Sequence, residues 1–138
     1  MKKILFFLLL FPFILNAQNV IEPVKKDSVK IKNNPLPGRT KEEAKQLIES
    51  LRERVLRGED MGSLAAQYSE DPGSAKNGGQ LGPFGRGKMV SEFEEVAFNL
   101  KVGDISDVFE TKFGFHFIQL LAKEGEKVVA RHILIQVK

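Results

Sequence analysis

The stretch Phe115-His116-Phe117-Ile118-Gln119-Leu120-Leu121-Ala122, Lys123-Glu124-Gly125-Glu126-Lys127, Val128-Val129-Ala130-Arg131-His132-Ile133-Leu134-Ile135-Gln136-Val137 decides the architecture. Two runs rich in aromatic and β-branched residues flank a short polar segment, the pattern of two paired antiparallel strands. Gly125 can take the positive backbone angle that a tight hairpin needs. Alternation sets His116, Ile118 and Leu120 on one face of the first strand. In the second, Ile133 and Ile135 share one face while Ala130, His132 and Leu134 share the other. A further strand-like run, residues 108–110, stands just upstream, followed by a turn at 111–114.

Working towards the N-terminus, the pattern turns helical. Thr40-Lys41-Glu42-Glu43 is a capping box, whose hydroxyl and glutamate satisfy orphan amides at a helix start. Ala44, Leu47, Ile48, Leu51 and Val55 follow at helical spacing, and Gly58 supplies the stop. Asp60 caps a second helix with Leu64, Ala65 and Tyr68 expected inward, and Asp71-Pro72-Gly73 forces a break. A glycine-rich stretch, residues 78–87, leads to Ser91 and a short helix carrying Phe93, Val96, Ala97 and Phe98, ended by Gly103-Asp104. Helices first and paired strands afterwards predict an α+β layer of helices on a small sheet.

The remaining N-terminal residues differ in character. Met1-Lys2-Lys3 followed by a mostly apolar run, residues 4–15, and small Ala17 reads as an export signal over residues 1–17. Pro12, Asn16, Gln18 and Asn19 interrupt or end the run, so it falls short of the ~20 apolar residues of a membrane span. An uncleaved signal serving as an anchor is the other reading; signal cleavage would leave no stable membrane span. Residues 18–39 are polar, lysine-rich and broken by Pro35 and Pro37, as expected of a linker, although Val29-Lys30-Ile31 alternates enough for a short edge strand. The expected domain is residues 40–138. The product is expected outside the cytoplasm, periplasmic or extracellular.

Composition and motif spacing exclude several function classes. The 138-residue chain has no cysteine, so a disulfide framework and a cysteine-bound lipid are both excluded. Its formal charge of +3 falls to +1 without residues 1–17, which carry two lysines and no acid, and no nucleic-acid face is implied. Gly82-Pro83-Phe84-Gly85-Arg86-Gly87-Lys88 fits a phosphate-binding loop until Met89, which stands where a hydroxyl must hold magnesium. Pro83 also lacks an amide that a phosphate cradle uses, and no nucleotide is expected. Two histidines without cysteine are a poor donor set for zinc, and no Gly-x-Ser-x-Gly nucleophile turn occurs.

Tyr68-Ser69-Glu70-Asp71-Pro72-Gly73-Ser74-Ala75, Asn77-Gly78-Gly79-Gln80-Leu81-Gly82, Phe84-Gly85-Arg86-Gly87, Met89-Val90, Phe93-Glu94 and Phe113-Gly114-Phe115-His116-Phe117-Ile118 together resemble the parvulin (rotamase) signature, in the family's order. The resemblance spans roughly residues 40–122. It implies a parvulin-like four-stranded antiparallel sheet wrapped by about four helices, with a shallow groove for a proline-containing segment. The activity implied is peptidyl-prolyl cis/trans isomerisation without cofactor or metal, on unfolded or newly exported proteins. By this resemblance Leu81, Met89 and Phe93 form an apolar cup for the proline ring, with Phe84, Thr111 and Phe113 lining the same groove. Asp71 takes the position held by cysteine or aspartate in the family, and His116 and His132 form its histidine pair.

One departure stands out. The family's Ala-Arg-His-Ile-Leu strand ordinarily precedes the first helix, whereas here residues 130–134 come last. Two readings stay open: a permuted domain whose usual first strand is supplied by the C-terminus, or the opening of a second module. The rival to an isomerase is a chaperone-like module that binds extended chains without turning them over.

Overall fold

The computed structural model describes residues 38–138. The export signal, most of the linker and the edge strand around Val29 lie outside the described residues. Among the described residues no helix is long and apolar enough to cross a membrane.

Helix α1, Lys41–Leu56, begins with the full capping box between Thr40 and Glu43 and buries Ala44, Ile48, Leu51 and Val55. Helix α2, Met61–Tyr68, starts from Asp60, whose side chain accepts the amide of Ser63. It buries Met61, Leu64 and Ala65. Tyr68, expected inward, is instead exposed, with the Arg54 guanidinium over its ring at 5.4 Å. As the last residue of the helix it packs along the flank of α1. A 3-10 turn, Ala75–Asn77, and helix α3, Ser91–Asn99, complete the helical part.

Strands β1 (Phe109–Thr111), β2 (Gly114–Glu124) and β3 (Lys127–Ile135) form one antiparallel sheet in the order β1-β2-β3. Strand β2 runs further than the sequence suggests, whereas β3 starts at Lys127 but ends at Ile135, short of Val137; Lys123 and Glu124 still pair with Val128 and Lys127, leaving a loop of only Gly125 and Glu126. Gly125 has φ +61°, at the loop position that a type II′ turn reserves for glycine. A register shift between Leu120 and Ala122 marks a bulge.

The sheet has three strands among the described residues, not four. The outer edge of β3 is covered by an irregular segment: Gly79 O accepts from His132 N–H, Leu81 N–H donates to Ala130 O, and Phe84 and Val128 exchange both bonds. Pro83 has no N–H to give, so the pairing breaks into two separate bridges, Gln80 with Arg131 and Phe84 with Val128. Gly79, at φ +73°, can approach because a side chain there would collide with the His132 carbonyl.

Both faces of the sheet are covered, each by its own core. Phe115, Phe117, Ile133 and Ile135 pack under α1 and α2. On the opposite face Ile118, Leu120, Val128 and Ala130 meet Phe93 and Ala97 of α3, together with Phe84. Glu70, beyond α2, ties Arg39 to the residues that follow β3. Its carboxylate takes Arg39 at 2.7 Å, Lys138 at 2.6 Å and the Gln136 amide at 2.6 Å, while Lys138 N–H donates to Arg39 O. Burial pushes the Glu70 carboxyl up, but the bonds from Lys138, Gln136 and Arg39 outweigh it and leave the group below its ordinary value. Asp71 follows directly on this anchor.

Candidate active site

His116 pairs across the ladder with Leu134, and His132 with Ile118, so the two histidines sit diagonally on the α3 face of the sheet. Their rings lie nearly parallel, 5.6 Å between centroids and 14° between planes, with Nδ1 to Nδ1 at 3.4 Å. Phe93 from α3 meets both edge-on, at 5.8 Å and 5.4 Å. Phe109 stacks on the other side of His116 at 5.4 Å.

A hydrogen-bonded chain runs through this pair. His132 Nε2 lies 2.7 Å from Asp71 Oδ2, and the Ser74 hydroxyl donates to the same oxygen at 2.5 Å. The other carboxylate oxygen, Asp71 Oδ1, accepts the Gly73 amide at 3.0 Å. At the far end Thr111 Oγ1 is 2.7 Å from His116 Nε2 and accepts the Phe113 amide at 3.1 Å. These partners assign the tautomers. A carboxylate only accepts, so His132 donates from Nε2 and presents a bare Nδ1. His116 then donates from Nδ1 and accepts the Thr111 hydroxyl proton at Nε2.

Electrostatics agrees with two neutral rings. Burial pushes His116 down to about 4, with His132 adding to the shift and Asp71 opposing it. Burial also holds His132 below its ordinary value although its contact with Asp71 pulls the other way. The short Asp71–His132 contact is therefore a hydrogen bond from a neutral imidazole at neutral pH, not an ion pair. Burial raises Asp71, and the bonds from Ser74, His132 and Gly73 more than reverse it, so the carboxyl stays ionised.

Above this chain opens a cavity of about 620 Å³. Its lining brings together Asp71, Leu81, Met89, Phe93, Phe113, His116 and His132, seven of the nine residues singled out in the sequence. The other two are elsewhere. Phe84 is 5% exposed and lies behind the wall, its ring 6.1 Å from that of Phe93, so it belongs to the core. Thr111 is buried and reaches the cavity only through His116. Spacing alone does not separate an apolar loop residue that lines a groove from one that supports it.

Ser74, Glu94, Leu134 and Gln136 escaped the sequence reading. Leu134 and Gln136 line the cavity from the end of β3. Ser74 is 1% exposed and touches both Asp71 and His132 Nε2, the latter at 3.0 Å. Its position three residues after an aspartate, across a Pro-Gly turn, was the available signal. Glu94 collects the amides of Gly87, Lys88 and Met89 at 3.0, 2.8 and 2.8 Å. Those bonds, from Gly87 and Met89 above all, hold its carboxyl below the ordinary value. In this lookalike of a phosphate loop, a carboxylate from the following helix occupies the anion's place and sets Met89 beside Phe93.

The family described as the PPIC-type PPIASE domain matches residues 14–124. The chain belongs to the PpiC-type PPIase family. That match ends at the last residue of β2, and β3 lies beyond it. A foldase protein PrsA of Geobacillus sp. (strain WCH70) is 53% identical to this PpiC-type chain over 79 residues, which make up 57% of the chain and 29% of the relative. A chaperone SurA of Alcanivorax borkumensis is 41% identical over 105 residues, 75% of the chain and 24% of the relative. The chain thus spans under a third of the length of these relatives. The crystal structure of the peptidylprolyl isomerase PrsA from Bacillus cereus superposes with a TM-score of 0.55 at 43% identity, covering 64% of this chain and 33% of that one.

Proposed function

We propose that this PpiC-type domain is a peptidyl-prolyl cis/trans isomerase acting on Xaa-Pro bonds of unfolded or newly exported polypeptides. The observation that carries the reading is one cavity in which an apolar cup, Leu81, Met89 and Phe93, adjoins a hydrogen-bonded wall of Asp71, His132 and His116. The barrier to rotation about an amide is ~18–20 kcal/mol because resonance must be broken. At the twisted state the nitrogen lone pair is localised and charge separation along the amide is smaller. A dry apolar cup therefore favours the twisted form over the planar one, while holding the ring leaves the carbonyl side free to rotate.

Both imidazoles are neutral and each spends its protons within the chain, so no step requires net proton transfer. Asp71 supplies fixed negative charge beside the rotating bond and orients His132; neither it nor any cysteine acts as a nucleophile. In this reading β3 takes the place of the family's first strand, residues 40–138 are the functional domain, and residues 1–17 direct export to the periplasm or beyond. Catalysed exchange on a panel of Xaa-Pro peptides tests the activity. Acceleration over the spontaneous rate supports it, and an unchanged rate defeats it. The chaperone name of the Alcanivorax relative favours a second reading, binding without turnover. Saturable peptide binding with no acceleration would select it.

A further inference from the structure

A second cavity, of about 610 Å³, lies at the tip of the β2–β3 hairpin, away from the histidines. Arg86, Lys123 and Lys127 line it, against a single carboxylate, Glu126, and the Phe98 ring forms an apolar patch. Among the described residues these three cations make no ion pair within 4.0 Å, and what sets them apart from the other unpaired lysines and arginines is that they line one cavity together. The Arg86 guanidinium lies over the Phe98 ring at 4.3 Å, a stacked contact that steadies it at the cavity. The patch is local: the whole chain carries only +3, too little for an extended nucleic-acid face.

We propose that this cavity is a docking site for an acidic polypeptide segment, with Asp or Glu carboxylates on Arg86, Lys123 and Lys127 and an adjoining apolar side chain on Phe98. A carboxylate accepts two parallel bonds from a guanidinium, and lysines on neighbouring strand ends add charge from a second side. By strand spacing Val128, at this cavity, lies about 20 Å from Leu134 of the histidine cavity, so occupation of the two is separable. The site stands independently of the isomerase reading.

The test uses the isotopically labelled 138-residue chain and a proline-free peptide built on Glu-Asp-Phe-Glu, beside its Gln-Asn-Phe-Gln counterpart. The acidic peptide is expected to shift amide signals of Arg86, Phe98, Lys123 and Lys127 while leaving Leu81 and His132 unmoved. Its affinity should fall about fivefold between roughly 20 and 200 mM salt. The triple variant Arg86→Gln, Lys123→Gln, Lys127→Gln should bind about tenfold more weakly while keeping the parent spectrum elsewhere, as exposed sites allow. Equal binding of the neutral peptide, full affinity in the triple variant, shifts centred on the histidine cavity, or tighter binding of an oligonucleotide of equal charge would each overturn the proposal. Since the peptide lacks proline, a failed exchange assay leaves this result standing, and the reverse also holds.

Discussion

Asp71 carries the fixed charge of the hydrogen-bonded chain, and four protein groups depend on its two oxygens or on the ring it orients. Asp71→Asn keeps the shape and removes the charge, so exchange should slow by about tenfold, equivalent to roughly 1.4 kcal/mol of barrier, with peptide affinity little changed. Unchanged turnover would reduce Asp71 to a turn-former. The cup separates into two kinds of residue. Phe93 is 4% exposed and packs on Phe84, Phe109 and both imidazoles, so Phe93→Ala should cost ~3–5 kcal/mol of stability along with activity. Met89 is only half-buried in the cavity wall, so Met89→Ala should lower kcat/KM with a far smaller change in the unfolding midpoint. If Met89→Ala stays folded and turns over as fast as the parent, the proline does not sit in this cup.

At the scale of elements, two connections hold the cup against the histidines. Glu94 of α3 fastens the loop that carries Met89; Glu94→Gln cannot accept all three amides, and kcat/KM should fall while circular dichroism of the helices stays as in the parent. A normal kcat/KM in that variant would show the loop to be set by other contacts. Strand β3 supplies His132, Leu134 and the inner faces of both cores. A chain ending at Glu126 should lose cooperative unfolding and exchange activity, or form swapped oligomers; a monomeric, cooperative and active product would refute its place in this domain. These elements were legible to different degrees. The caps at Thr40 and Asp60, the two faces of the hairpin and the histidine pair follow from local spacing, which local sequence encodes. Ser74 and the Glu70 anchor depend on side chains meeting groups far along the chain, and Glu94 on the folding back of the loop just before its helix; no period announces such meetings. Phe84 and Tyr68 show a related limit: apolar character does not say whether a ring lines a groove, packs in the core or lies on the flank of a helix.

For the molecule as a whole, the buried histidines make stability depend on pH. In the unfolded chain a histidine binds its proton near pH 6.5; in the fold His116 resists until about 4. The folded state therefore holds fewer protons in that window, so the contribution of the neutral ring is complete above pH 6.5 and is lost as pH falls towards 4. For His116 the loss amounts to roughly 3 kcal/mol, and His132 shifts in the same direction. Asp71, whose carboxyl is lowered, contributes in full above 3.8 and loses that contribution only below it, so it adds to the acid end. Urea midpoints measured at about pH 7.5 and 5.5 report chiefly on the histidines, because ordinary carboxylates stay largely ionised at both. Equal midpoints would mean that the rings are solvated. The Glu70 anchor has a mechanical consequence. Arg39 and Lys138 meet at one corner of the molecule, with Lys138 N–H bonded to Arg39 O. A pull applied at these two residues loads that corner first and peels β3 from its end, one rung after another, instead of shearing the ladder all at once. Tension would thus reach Gln136 and Leu134 before His132, stripping the rim of the cavity while its histidine wall still stands.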